Sequence, residues 1–146
     1  MDDLDKKILR ELQRDSRSSF TKIAQNIGVS TATVSERVKR LTKKGIICGY
    51  TAVLNTSELG MVTLITKIKI KSGYSVDEVG KEIAKLDESC CIHHVTGDFD
   101  LLVISKCVGH GKCGAVIEKK KNIEGVQSVD AELVLNTLKE ELKVKL

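Results

Sequence analysis

Residues 28–44, GVSTATVSERVKRLTKK, carry the pattern that decides the fold of the first part of the chain. Gly28 suits the left-handed conformation that ends a helix, and Ser30 or Thr31 can cap the helix that follows. The stretch therefore predicts a tight turn followed by an amphipathic helix with a polar outer face. Its buried stripe is predicted to consist of Val34, Val38 and Leu41.

Two further helices are predicted before this turn. Residues 3–13 form one of them, with Asp2 or Asp3 as its cap, and residues 20–27 form the other. Three helices with a glycine turn between the second and the third are typical of a helix-turn-helix unit. Residues 46–54 are predicted to form a hairpin wing or a connecting strand, which would make the unit a winged helix-turn-helix. The inward side chains of the two helices are predicted to be Leu4, Ile8, Leu9, Leu12, Phe20, Ile23, Ala24 and Ile27.

The basic excess of the chain lies entirely in its first part. The 146 residues include 24 Lys and Arg against 20 Asp and Glu, and residues 1–60 carry 11 basic and 7 acidic side chains. A local basic stripe attracts phosphate, although a solvated helix face can look similar. We predict that residues 30–44 contact duplex DNA. The predicted contact residues are Ser30, Thr31, Thr33, Ser35, Glu36, Arg37, Lys39, Arg40, Lys43 and Lys44.

These side chains have different expected roles. Thr31 and Thr33 are small enough to approach base edges, and Ser35 and Glu36 can read base donors or acceptors. The lysines and arginines can hold guanines or phosphates. Arg37 has an alternative, because it can lie on the flank of the helix and pair with an acidic residue of the first helix.

The second part of the chain has a different pattern. Residues 55–60 form a polar linker that ends in glycine, so the expected domains are residues 1–54 and 61–146. The order of elements is a split βαβ arrangement, an α+β fold with one antiparallel sheet and both helices on one face. The predicted strands are 62–71, 90–96, 101–106 and 126–135, and the predicted helices are 76–86 and 111–122.

One strand also predicts an assembly. Leu101, Leu102, Val103 and Ile104 are apolar on both faces of the sheet, and the helices can cover only one face. We therefore expect a second copy of the chain to cover the other, in an isologous homodimer.

The cysteines and histidines raise an alternative function, a metal- or thiol-redox-sensing regulator. A turn at residues 97–100 would place Cys90 opposite Cys107 and His93 opposite Ile104. Successive side chains of a strand point to opposite faces of the sheet, so no face collects the four ligands that a closed metal site needs. A buried cysteine is also an ordinary small core residue. No metal site is therefore predicted, and the alternative would use Cys90, Cys91, His93 and Cys107.

Several classes of protein are excluded or disfavoured. The sequence has no phosphate-cradling glycine loop, no H-E-x-x-H and no nucleophile with a placed base, so we expect neither an enzyme nor a cofactor. It has neither a signal peptide pattern nor 18 consecutive apolar residues, so we expect a soluble cytoplasmic protein without a membrane partner.

Several motifs together resemble the leucine-responsive regulator (Lrp/AsnC) family of prokaryotic transcription factors. They are Leu4-Asp5, Gly28-x-Ser30, Arg37-Val38-x-x-Leu41, the exit from Gly45 to Thr51, and VTGDFDL at residues 95–101. The resemblance implies a sequence-specific DNA-binding regulator with a ferredoxin-like effector and oligomerisation domain. It also implies dimers that assemble into tetramers or octamers, and amino-acid effectors.

The same resemblance suggests an effector site at a hairpin. A free amino acid needs backbone N–H donors beside a fixed acid. Gly97 permits a positive φ that exposes such donors, and Asp100, or less favourably Asp98, can take the ammonium group. The alternative is a plain hairpin, in which glycine and aspartate are only turn formers. The predicted effector-binding residues are Thr96, Gly97, Asp98, Phe99 and Asp100.

Overall fold

The computed structural model describes all residues from Met1 to Leu146 and contains two compact units. The first unit comprises Met1–Val53 with Glu140–Leu146, and the second comprises Leu54–Lys139. None of the five helices has the length and apolar character that a membrane span requires. In chain order the elements are α1 (Asp3–Arg14), α2 (Phe20–Ile27), α3 (Thr31–Lys43), β1 (Met61–Ile70), α4 (Val76–Ile83), β2 (Ser89–His94), β3 (Leu101–Val108), α5 (His110–Lys121) and β4 (Val126–Leu133).

The first unit is built from three capped helices. Asp2 caps α1 in a reciprocal capping box with Asp5, and Ser19 and Ser30 cap α2 and α3 through their hydroxyl groups. Gly28 ends α2 in the left-handed conformation at φ 74°, as predicted. Phe20 differs from the prediction, because it is 36% exposed at the first turn of α2. The buried core contains Ile8, Leu9, Leu12, Ile23, Ala24, Val34, Val38, Leu41 and Ile47.

A segment from the far end of the sequence completes this unit. The side chain of Gln13 donates to the carbonyl of Val144 at 3.1 Å and accepts from its N–H at 2.7 Å. Arg10 donates to the carbonyl of Leu146 at 2.7 Å, and Leu146 packs against the helical core. Residues 140–146 therefore belong with the helices, whereas the sequence analysis placed them in the second domain.

The expected hairpin wing or strand at residues 46–54 is not formed. The N–H groups of Ile46 and Ile47 bond to the carbonyl of Leu41 and close the end of α3. Beyond them the segment has no helix or strand, and Tyr50 and Val53 are exposed. β-Branched residues favour a strand, but a strand forms only when a neighbouring strand pairs with it.

The second unit is a four-stranded antiparallel sheet in the order β2-β3-β1-β4 with α4 and α5 on one face. This is the ferredoxin-like βαββαβ arrangement, and the predicted order of elements is confirmed. Burial alternates along β1 and β3, so one face of each strand lies beneath the helices. The core beneath α4 includes Ile68, Val79, Ile83, Leu101 and Val103, and the core beneath α5 includes Leu64, Cys107, Cys113 and Val116.

The register between β2 and β3 differs from the predicted one by two positions. His93 pairs with Leu102 and Cys91 pairs with Ile104, because β2 ends at His94 and the turn is longer than four residues. An irregularity between Ser89 and Cys91 leaves Cys90 without a partner in the ladder. The predicted pairs of Cys90 with Cys107 and of His93 with Ile104 are therefore wrong.

Candidate nucleic-acid interface and effector hairpin

The polar face of α3 is the candidate DNA-binding surface. Val34, Val38 and Leu41 are buried against α1 and α2, so the opposite side of the helix is left to solvent. Ser30 caps the helix, and its hydroxyl also lies 2.8 Å from that of Thr33. Of the predicted contact residues, Thr33, Ser35 and Arg37 are half-buried and the others are exposed: Ser30, Thr31, Glu36, Lys39, Arg40, Lys43 and Lys44.

Arg37 and Arg40 are held by acidic residues of the first helix. Asp5 accepts from Arg40 at 2.8 and 2.9 Å through its two carboxylate oxygens and from Arg37 at 3.2 Å. Arg37 also donates to the carboxylate of Asp2. The structural role that the sequence left open for Arg37 is present, and Arg40 shares it.

These contacts keep both carboxylates charged. Burial opposes ionisation of Asp5, which is 2% exposed, but the backbone N–H of Asp2 and the guanidinium of Arg37 lower its pKa below the usual value. The hydrogen bond from Arg37, helped by the backbone N–H of Asp5, lowers the pKa of Asp2 to about 2. The two arginines thus link α3 to α1. Pairing of Arg37 with an acidic residue of the first helix was one of its two predicted roles, whereas the pairing of Arg40 was not predicted.

The three lysines of α3 and its C-terminal cap have no such partners. Lys39, Lys43 and Lys44 are exposed, and none of them forms an ion pair. Lys43 and Lys44 also lie at the C-terminal end of the helix. These cations are available to phosphate groups, whereas Arg37 and Arg40 already use part of their guanidinium donors on Asp2 and Asp5.

The hairpin between β2 and β3 contains the predicted effector residues. Thr96, Gly97 and Asp98 are exposed, and Gly97 has a φ of 120°, which only glycine adopts readily. The amino group of Lys67 lies 5.8 Å from the ring centroid of Phe99. The turn is thus open, with accessible backbone and one free carboxylate at Asp98.

Asp100 anchors this hairpin to β1. Its carboxylate accepts from the N–H of Ile70 at 2.8 Å and from the amino group of Lys69 at 3.3 Å. Its own N–H donates to the carbonyl of Ile68 at 2.9 Å. The hydrogen bond from Ile70 is the main reason that the pKa of Asp100 is lowered. Asp100 is therefore already engaged, unlike Asp98.

The cysteines and histidines are not gathered into a metal site. No group of three or more His, Cys, Asp or Glu side chains has the arrangement that a metal ion needs. Cys90 is exposed, whereas Cys107 is buried beside Cys113 of α5. Burial, with a hydrogen bond between these two thiols, raises the pKa of Cys107 to about 12, so its thiol is unreactive. The alternative of a metal- or thiol-sensing regulator is not supported.

A buried lysine is a polar feature for which the sequence predicted no role. Lys120 of α5 is fully buried, and its amino group donates to Thr66 at 2.9 Å and to Ser105 at 2.8 Å. No carboxylate forms an ion pair with it, and burial lowers its pKa to about 8. Lys120 follows Cys113 and Val116 at helical spacing, and all three side chains are buried.

Comparison with known proteins agrees with this architecture. Residues 1–42 match the AsnC-type helix-turn-helix domain, and residues 63–144 match the Lrp/AsnC ligand binding domain. The HTH-type transcriptional regulator Ptr1 of Methanocaldococcus jannaschii is 36% identical over 146 residues, which cover 99% of this chain and 98% of the relative.

Two solved structures have the same fold. Escherichia coli AsnC superimposes with a TM-score of 0.85 at 26% identity, covering 97% of this chain and 96% of AsnC. A transcriptional regulator from Neisseria meningitidis, solved as a complex with L-Met, has a TM-score of 0.88 at 22% identity, covering 99% of this chain and 96% of its own. The matched domains and relatives are regulators of transcription rather than enzymes. With a helix-turn-helix unit and a ferredoxin-like ligand-binding unit that both match, this chain belongs to the Lrp/AsnC family of DNA-binding transcriptional regulators.

Proposed function

We propose that the chain binds duplex DNA by placing α3 in the major groove. The observation that supports this proposal is the division of α3 into two sides. One side is buried in the helical core, and the other carries unpaired lysines and small polar residues. Side chains in the first half of such a helix reach base edges, and cations beyond them hold the flanking phosphates. In this arrangement Thr31 and Ser35 approach bases, and Lys43 and Lys44 contact phosphates.

The salt dependence of binding tests this arrangement. Each phosphate contact that is lost flattens the slope of log K against log salt by about one unit. We expect Lys43→Ala with Lys44→Ala to weaken binding to all sequences and to flatten the slope by about two units for each subunit that contacts DNA, measured by fluorescence anisotropy. Lys71→Ala with Lys81→Ala removes the same charge from the second unit and serves as the control. An unchanged slope in the Lys43 and Lys44 variant would refute the phosphate assignment.

The amino-acid effector belongs to the same proposal, at residues 96–100. The hairpin supports it through the positive φ of Gly97 and the exposed carboxylate of Asp98, which forms no hydrogen bond or ion pair. The Neisseria meningitidis relative of the same fold was solved with L-Met. Asp100 was the predicted acid for the ammonium group of the effector. Because its carboxylate also fixes the hairpin to Ile70, Asp100 shapes the turn that would hold the ligand.

A thermal-shift screen of the twenty amino acids tests the effector site. A ligand that binds only the folded protein raises its melting temperature by mass action. We expect Asp98→Asn to abolish the shift while leaving the melting temperature without ligand unchanged, since Asp98 has no partner. Asp100→Ala should abolish the shift and also lower the melting temperature without ligand. No shift in the wild-type protein would leave residues 96–100 as a plain turn.

Self-association completes the proposal. The face of the sheet opposite the helices carries a cross-strand row of Cys91, Ile104 and Ile65, all half-buried. Apolar side chains at the centre of an uncovered sheet favour contact with a second copy. We infer an isologous homodimer packed sheet against sheet.

A further inference from the structure

Glu36 is the one acidic residue among the cations of α3. Its carboxylate is exposed, and it forms no hydrogen bond or ion pair. Lys39 lies one turn away but does not pair with it, and Arg40 is bound to Asp5 instead. The other fully unpaired charges on this surface are positive, so Glu36 is a negative charge without a structural partner.

The position of Glu36 makes this charge significant for DNA binding. With Val34 and Val38 buried, the period of 3.6 residues places residue 36 near the middle of the outward face. Ala32 lies one turn before it on the same side, and its methyl group leaves room for a base edge to approach. If α3 docks in the major groove as proposed, Glu36 faces the groove floor, and Lys43 lies two turns further along the helix.

A carboxylate at this place is unfavourable on most DNA. Phosphates repel it, and most groups on the floor of the major groove are acceptors, which a carboxylate cannot bind. Cytosine is a clear exception, because its N4 amino group is a donor in the major groove. Adenine also offers an N6 donor, but its adjacent N7 acceptor lies against the carboxylate.

We propose that Glu36 is a specificity-determining residue that accepts a hydrogen bond from the N4 amino group of a cytosine in the binding site. This inference rests on the proposed docking of α3 in the major groove. Glu36 then acts mainly by rejection: it lowers the affinity for sequences without a cytosine at that place and is tolerated where the donor is present.

The experiment first selects the preferred duplex from a random library with the wild-type protein. Each position is then changed to the other three base pairs, and affinities are measured for the wild type, Glu36→Gln and Glu36→Ala. Asp3→Asn, an exposed carboxylate on α1, removes the same charge outside α3 and is the matched control.

The proposal predicts one C·G position in each half-site at which the wild type discriminates by at least about fivefold. Glu36→Gln should shift the preference there toward adenine, since glutamine binds adenine N6 and N7. Glu36→Ala should lose the preference at that position alone and bind a scrambled duplex several-fold more tightly than the wild type. Asp3→Asn should retain the wild-type preference at every position.

Base preferences that are the same in Glu36→Ala and the wild type would overturn the proposal, as would weaker binding of this variant to the scrambled duplex. Failure of the docking itself gives a different result. In that case the Lys43 and Lys44 variant keeps the full salt slope, whatever Glu36 does. The two hypotheses are therefore separated by independent measurements.

Discussion

Asp5 connects two helices through a single buried carboxylate. It accepts from Arg37 and Arg40 of α3 and belongs to the capping box of α1. Hydrogen bonds to a charged group contribute about 1.5 to 3 kcal/mol each, and burial makes the loss of such a partner costly. A change at Asp5 is therefore expected to affect both the start of α1 and the orientation of α3.

We predict that Asp5→Asn lowers the free energy of unfolding of the first unit by about 2 kcal/mol at pH 7. Because the folded pKa of Asp5 is lowered, its contribution is present above the unfolded pKa near 4 and is lost as the pH falls through the lower folded value. The variant should lack this acid-dependent loss. Urea unfolding followed by the methyl resonances of Ile23 and Val34 measures both effects, with Asp3→Asn as the control.

At this scale the sequence allowed only part of the interface to be predicted. Periodicity correctly placed Val34, Val38 and Leu41 inside and allowed Arg37 a place on the flank. It could not show that Arg40 also turns to Asp5, because the position of a neighbouring helix depends on packing rather than on spacing along one helix.

Helix α5 buries a charged side chain. Its inward stripe ends in Lys120, whose amino group is bound only by the hydroxyls of Thr66 and Ser105. Burial removes water from the ammonium group, and two neutral hydroxyls offset only part of that cost. The remaining desolvation disfavours the charged form and lowers the pKa of Lys120. The helix is therefore sensitive to the protonation of a single side chain.

We predict that the stability of the wild type relative to Lys120→Met increases between pH 8 and 10.5. In this range the unfolded lysine still binds its proton while the folded one has released it, so a rising pH favours the folded state. The difference can reach about 3 kcal/mol over that range. Urea unfolding of both proteins across this range measures it, and the titration of Cys107 largely cancels in the comparison. Parallel curves would show that Lys120 is not perturbed.

The elements were predictable where their patterns are local. All five predicted helices are present, and so are the four predicted strands of the second unit. The register of β2 against β3 was wrong because the length of a turn is not fixed by the glycine within it. Residues 46–54 were misjudged because a strand depends on a partner that periodicity cannot reveal.

For the whole molecule, the uncovered face of the sheet leads to a prediction about mass. We expect sedimentation at micromolar concentration to give at least twice the chain mass of 16.0 kDa. Ile104→Glu should shift the protein toward monomer, because a carboxylate at the centre of an apolar interface is costly to desolvate. Lys85→Glu, two residues beyond α4, changes an exposed charge outside the strands and should leave the mass unchanged. A wild-type protein that sediments as a monomer would contradict sheet-to-sheet packing.

The contact between Gln13 and Val144 bears on how the protein is made in the cell. These residues are 131 positions apart, and ribosomes add about 5 to 20 residues per second, so about 7 to 26 s separate their synthesis. During that interval the second unit can fold, while α1 still lacks its contacts with residues 144–146. Translation of the helical unit thus begins before that of the second unit and ends after it, and a nascent chain that stops before Val144 lacks the contacts that this segment makes with α1.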